Sequence, residues 1–309
     1  MLYYDDARAA VRDALRLSRA MTFKSAVAGL PLGGGKGLIM APNPAVPIRR
    51  GRRADALRDF GDTVADLDGS YITAEDVGTS SRDMEVIASA TAHVTGLSRQ
   101  RGGSGDPSRW TALGVESAIG VCCEQVFGSP SLQDRAIAIA GLGHVGAHVA
   151  AACAKGGATL LVTDIDARKR DLAERLGARW IQPSAALHTA VDVLVPCALG
   201  ALLDHETVPY VQAPIVAGAA NNQLANDDVA QLLAERGVLW APDFVVNAGG
   251  IINISVELEP SGYDPRRARR RVRGIADTLR GIFDAAQARD TTPLTAAMAL
   301  ARERLAGGA

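Results

Sequence analysis

The run AIAIAGLGHVGA (136–147) constrains this chain more tightly than any other stretch. Five small apolar residues without a polar interruption predict a strand buried on both faces. Gly141, Gly143 and Gly146 then fit G-x-G-x-x-G, and Ala147, Val149, Ala150 and Ala151 continue as a small-residue helix. A second apolar strand, 159–163, ends in Asp164, 18 residues after Gly146. A strand, a glycine turn, a helix and a strand closed by an acid make a dinucleotide-binding fingerprint. Gly141 permits the tight turn. Gly143 lets the backbone approach a pyrophosphate at the helix N-terminus, and Gly146 lets the helix pack on the strand. The whole hexapeptide, His144 and Val145 included, is expected to face the cofactor, with His144 as a variable position and not a catalyst. Asp164 is expected to bind the ribose hydroxyls. With Asp166 it disfavours a 2′-phosphate, so NAD is expected over NADP; Arg168, Lys169 and Arg170 weigh the other way.

The rest of the chain fits around that unit. Short apolar strands (191–195, 215–217, 238–241) alternate with helical stretches (166–176, 227–236), as in a parallel sheet covered on both faces. A helix is expected at 111–126 and an arginine-rich helical tail at 264–306. Upstream, 5–22 reads as an amphipathic helix, 29–37 as a glycine loop, 38–40 and 70–74 as strands, and 43–53 as loop. Helices follow at 54–66 and 81–90, the second capped by Ser80 or Ser81. The polar stretch 98–109 marks a domain boundary. The fold class is α/β: a Rossmann-type NAD-binding domain (96–289) and an α/β substrate domain (1–95, completed by a C-terminal helix, 290–309), with a cleft between them.

Composition removes several function classes. With 309 residues and 48% apolar content the chain can build two cores. A net charge of −1 gives no general attraction to nucleic acid or to an anionic membrane. The arginines at 266–273 read as a solvated helix face. Four cysteines without a C-x-x-C pair, and histidines without ligand spacing, predict no metal site. No signal-peptide core or membrane-length apolar run is present, so a cytoplasmic location is expected.

The chemistry is expected upstream. Only four of the 33 basic residues are lysine, and Lys24 and Lys36 stand twelve apart, Lys36 in the run GGGKG. An amine loses its proton more readily than a guanidinium when it is buried or near another cation. The stretch is not a phosphate loop, because Leu30 and Gly37 stand where a Walker motif needs glycine and Ser or Thr. Two lysines and a carboxylate suit a small 2-oxo or 2-amino acid: one cation holds the substrate carboxylate and the other does acid/base work. Asp76 can be that acid, or simply a helix cap or loop carboxylate.

Nine stretches, in order, resemble the glutamate/leucine/phenylalanine/valine dehydrogenases: LRLSRAMTFK (15–24), GLPLGGGKG (29–37), YITAEDVGT (71–79), GGSGDPSRWTALGV (102–115), GLGHVG (141–146), VTDI (162–165), PCALGA (196–201), AGAANNQL (217–224) and APDFVVNAGGIIN (241–253). The look is most like the leucine and valine members. The resemblance implies NAD-linked oxidative deamination of an apolar, branched-chain-like L-amino acid to the 2-oxo acid and ammonia, and its reverse, by a homo-oligomer. It implies that Lys24 binds the substrate carboxylate, that Lys36 polarises the carbonyl and activates water, and that Asp76 moves the amine proton. Met21, Ala74, Ile251 and Ile254 match the side-chain pocket, with ordinary core packing as the other reading of the two isoleucines. Asn247 matches a substrate position, and Thr111, Ala198 and Asn221 match cofactor positions. Family members carry several tens of residues ahead of the first helix, with strands and a glycine pair at the pocket, and this sequence is expected to be short of them. The alternatives are a catalytically impaired NAD-binding homologue and a dehydrogenase for an aromatic amino acid, phenylalanine or tryptophan.

Overall fold

The computed structural model describes residues 1–41, 48–198 and 202–307. It divides into two compact units: Met1–Pro107 with Ile251–Ala268, and Ser108–Gly250 with the chain from Arg269 onward.

In the first unit, β1 (Leu2–Tyr3) pairs in parallel with β2 (Met40–Ala41). Between them runs α1 (Ala7–Val27), started by Asp6, whose carboxylate accepts the Ala9 N–H at 2.7 Å. Helices α2 (Arg50–Asp66) and α3 (Ser81–Ile87) pack where Gly61 leaves room; a Cβ there would stand 2.8 Å from that of Ala90. Leu57, Met84, Ile87 and Val94 form the core between them. Ser80 starts α3 in a reciprocal capping box with Asp83.

Two expectations change here. Helix α2 begins at Arg50, inside the stretch read as loop, of which 43–47 lie outside the described residues. The strand expected at 70–74 reduces to one parallel bridge between Thr73 and Val94. Thr73 bonds across to the His93 carbonyl and the Thr95 N–H, and one rung does not make a ladder.

The second unit opens with α4 (Ser108–Phe127). Then come β3 (Ala136–Ala140), α5 (His144–Lys155), β4 (Thr159–Thr163), α6 (Arg170–Arg175) and β5 (Arg179–Trp180). Next are β6 (Val193–Pro196), β7 (Ile215–Val216), α7 (Val229–Glu235) and β8 (Leu239–Trp240). All six strands run parallel in the order β5-β4-β3-β6-β7-β8. This is the doubly wound dinucleotide-binding order, and the chain reverses direction across the sheet beside β3. Ligands of such sheets sit at the carboxyl ends of the strands at that point. The helix expected over 166–176 is a 3₁₀ turn followed by α6, and β5, only two residues long, was not expected.

The chain continues through α8 (Asp243–Val246), α9 (Gly249–Glu257), α10 (Pro265–Arg273), α11 (Ile275–Ala288) and α12 (Pro293–Ala306). The C-terminal helix was expected to complete the first unit. Instead α12 packs on α11 in the second unit, with Ala297 and Ala301 fully buried and Leu294 against the sheet core. What returns to the first unit is 251–268. The Glu257 carboxylate there accepts the N–H groups of Gly96 (3.1 Å) and Ser104 (2.9 Å), and the Tyr263 hydroxyl donates to Asn253 Oδ1 at 2.7 Å. Among the described residues no helix is long and apolar enough to cross a membrane.

Candidate functional site

The glycine loop after α1 is clamped at both sides. The Ser18 hydroxyl donates to the Gly34 carbonyl at 2.7 Å, and the Gly37 N–H donates to the Tyr71 hydroxyl at 3.0 Å. A side chain at position 34 would collide with Ser18 and Thr22 on α1, and a Cβ at position 35 would stand 2.5 Å from the Tyr71 ring. Glycine therefore lets the loop lie flat against α1 and Tyr71, which fixes where Lys36 leaves it.

Lys36 is 17% exposed and its Nζ forms an ion pair with Asp76 Oδ2. Asp76 opens a turn over 76–79. Its Oδ1 accepts the Val77 N–H at 2.7 Å, and the Thr79 hydroxyl donates to its carbonyl at 2.7 Å and accepts its N–H at 3.0 Å. Gly78 closes the turn at φ +79°. The cap of α3 is Ser80, so Asp76 is not spent as a helix cap. Burial lowers the Lys36 pKa, and the Asp13 carboxylate on α1 opposes that shift. A partly desolvated amine gives up its proton more readily than a free one, as an acid/base group must.

The other substrate candidates of this unit stand as follows. Met21 and Lys24 lie about one turn apart near the end of α1, both half-buried. Ala74 is half-buried two residues before Asp76. Ile251 and Ile254 occupy the half-buried side of α9, while Ile252 and Val256 are 3% and 0% exposed.

In the second unit the glycines divide their work. Gly141 sits at φ +107°, and a Cβ there would press on Ala198 N at 2.8 Å, which brings the Ala198 and Gly141 candidates side by side. A side chain on Gly146 would collide with the Gly141 carbonyl. Gly143 has nothing within 4 Å of its missing Cβ, and it starts α5 without a side-chain cap. Open space before uncapped helix N–H groups suits a pyrophosphate. Asp164 braces the turn: Oδ2 accepts the Leu142 N–H at 2.6 Å and Oδ1 the Asp166 N–H at 2.9 Å. His144 is exposed and Val145 half-buried on the first turn of α5. These residues fit a dinucleotide.

Asn221 and Asn247 also meet. Asn247 Nδ2 donates to Asn221 Oδ1 at 2.8 Å and to the Ala219 carbonyl at 3.1 Å, while its buried Oδ1 has no partner. Thr111 lies in the first turn of α4, where α9 comes so close that a Cβ on Gly249 would be 3.1 Å from its Cα. The thiols take no part: burial raises Cys197 and Cys123 to about 11 and Cys153 to about 12. No group of metal-ligating side chains occurs among the described residues.

Four side chains that organise these sites were not expected from sequence: Asp13, Arg53, Asp83 and Glu257. Only Asp83 carried a signal, the Ser-x-x-Asp spacing of a capping box. The others act on partners distant in the chain.

The family model "Glu/Leu/Phe/Val dehydrogenase, dimerisation domain" matches residues 3–93, and "Glutamate/Leucine/Phenylalanine/Valine dehydrogenase" matches 161–308. The chain is 40% identical over 306 residues to a leucine dehydrogenase of Thermoactinomyces intermedius, covering 99% of this chain and 82% of the relative. It is 41% identical over 307 residues to an L-tryptophan dehydrogenase of Nostoc punctiforme, covering 99% and 84%. The crystal structure of L-tryptophan dehydrogenase from Nostoc punctiforme superposes with a TM-score of 0.83 at 38% identity, covering 99% of this chain and 86% of that one.

Proposed function

The chain belongs to the glutamate/leucine/phenylalanine/valine dehydrogenase family, and we propose that it oxidises an apolar, branched-chain-like L-amino acid to the 2-oxo acid and ammonia, reversibly, with NAD. The observation that carries this reading is the Lys36–Asp76 pair beside the glycine loop. Lys24 holds the substrate carboxylate as a fixed countercharge. Asp76, exposed enough to exchange with solvent, takes and returns the proton of the amino group. Lys36 is the general base for water adding to the iminium carbon and, reversed, the acid that helps water leave. The half-buried isoleucines of α9 support an apolar substrate side chain.

The Gly141–Gly146 turn, Val145, Asp164, Ala198 and Thr111 hold the cofactor. When bound, NAD supplies the acceptor for the Cα hydride. Asn247 and Asn221 hold each other, and the unpartnered Asn247 Oδ1 is an acceptor left for a ligand N–H. NAD is favoured over NADP because two nearby guanidiniums are engaged. Arg168 grips Asp166 through two bonds of 2.9 Å, and Arg170 lies over the Trp180 ring.

Lys36→Ala is expected to lower turnover by roughly 1000-fold or more, the order lost with an acid/base group, while NADH still binds in a fluorescence titration. Undiminished turnover would sink the mechanism. The likeness to L-tryptophan dehydrogenase supports a second reading, an aromatic substrate. Self-association belongs to the proposal as well: the model over 3–93 is described as a dimerisation domain, and α1 exposes Val11 (57%) and Leu15 (67%) one turn apart. Sedimentation is expected to give a multiple of the single-chain mass, and a single-chain mass would remove that part.

A further inference from the structure

The turn that carries Asp76 makes its own hydrogen bonds, and these fix its shape but not its position. Among the described residues, one side chain reaches its carbonyls from outside: Arg53 of α2, on Gly78 O at 2.8 Å. Arg53 does more than touch the turn. Its Nε and Nη2 grip both oxygens of Asp83 at 3.0 and 2.8 Å. Asp83 Oδ2 also accepts the Ser80 N–H and hydroxyl at 2.8 and 2.9 Å, closing the cap of α3. One guanidinium thus joins α2, the start of α3 and the turn between 76 and 79. The ion pair is well sheltered, with Arg53 32% and Asp83 13% exposed.

We propose that Arg53 is a positioning residue: its fork locks the 76–79 turn to the cap of α3 and so holds the Asp76 carboxylate against Lys36. The inference rests on the reading of Lys36 and Asp76 as the acid/base pair. A planar fork matters here, because one donor set serves a carboxylate and a carbonyl together. A lysine is a point charge and cannot span both with the same geometry. Asp83 is held well below the usual carboxylate range, first by the Arg53 hydrogen bonds, so the pair stays charged across the working pH.

The test is steady-state oxidative deamination by Arg53→Ala, Arg53→Lys, Asp83→Asn and Asp76→Asn, with kcat/KM followed against pH. Among the described residues, the charged groups that act on Lys36 are Asp76 and Asp13. When Arg53 is lost, Asp76 no longer stabilises the ammonium form of Lys36. The limb that follows loss of the Lys36 proton is expected to move to lower pH, and kcat to fall by roughly 100-fold, the scale of a displaced catalytic group. Arg53→Lys and Asp83→Asn are expected between wild type and Arg53→Ala on both readouts, and they carry the test if Arg53→Ala does not fold. An unmoved limb in the folded variants, whether rates stay at wild type or fall only with the amount of folded protein, overturns the proposal. Full activity in Asp76→Asn sinks the acid/base pair itself. An inactive Asp76→Asn beside a wild-type Arg53→Ala sinks only the positioning role.

Discussion

Gly143 and Gly146 share one motif but face opposite surroundings. Nothing lies within 4 Å of a Cβ at 143, whereas one at 146 would collide with the Gly141 carbonyl. Gly143→Val is therefore expected to melt with the wild type and lose at least about tenfold in NADH affinity, since the side chain fills the approach to the helix N-terminus. Gly146→Val is expected to destabilise the fold by about 1–3 kcal/mol or more, as overpacking does. Calorimetry with NADH titration separates the two. Lys36 has a stability signature of its own. Its amine titrates below the ordinary 10.5, chiefly because it is buried, so the fold binds fewer protons than the unfolded chain in the window below 10.5. Stability rises with pH there, and at neutral pH the buried ammonium is a burden. Lys36→Met is expected to be inactive yet to melt at the wild-type temperature or a few degrees (~2–4 °C) above it. At this scale the fingerprint was legible because each glycine answers a local backbone need. The residues around Asp76 left it between a proton carrier and a loop carboxylate, the resemblance implied the first, and the fold sets it against Lys36. Arg53 was invisible, because its partners stand 25 and 30 positions away.

Three elements defined by local pattern came out at their expected limits, whereas α1 runs to Val27, five residues past its expected end. β3, α5 and β4 begin and end where the small apolar runs and glycines put them. Those that depend on a distant partner did not. Residues 70–74 have strand-like composition but only one paired rung, and β5 exists because β4 offers an edge to two residues. The Glu257 tether is the same kind of feature, a carboxylate at the end of α9 satisfying two N–H groups more than 150 positions away. Glu257→Ala leaves the N–H groups of Gly96 and Ser104 without their acceptor in a buried place. It is expected to cost about 1–3 kcal/mol, read by urea denaturation. An unchanged midpoint would show that the tether is incidental.

Across the whole molecule the two-unit α/β plan was readable from the change of texture near 98–109 and from the strand–helix alternation beyond it. Assignment of the last helices was not. Helix α12 carries no local mark of its place, and only its burial against α11 and the sheet core assigns it to the second unit. Residues 251–268 join the first unit through contacts at Glu257 that no local pattern announces. The central claim concerns the reaction these units perform, and an NADH-formation screen over the L-amino acids tests it most directly. The account predicts the fastest turnover with branched-chain substrates, little with glutamate, and none in Lys36→Ala. Fastest turnover with tryptophan or phenylalanine would move the substrate to the aromatic reading. No NADH from any apolar amino acid, by a folded protein that binds NADH, would contradict the account.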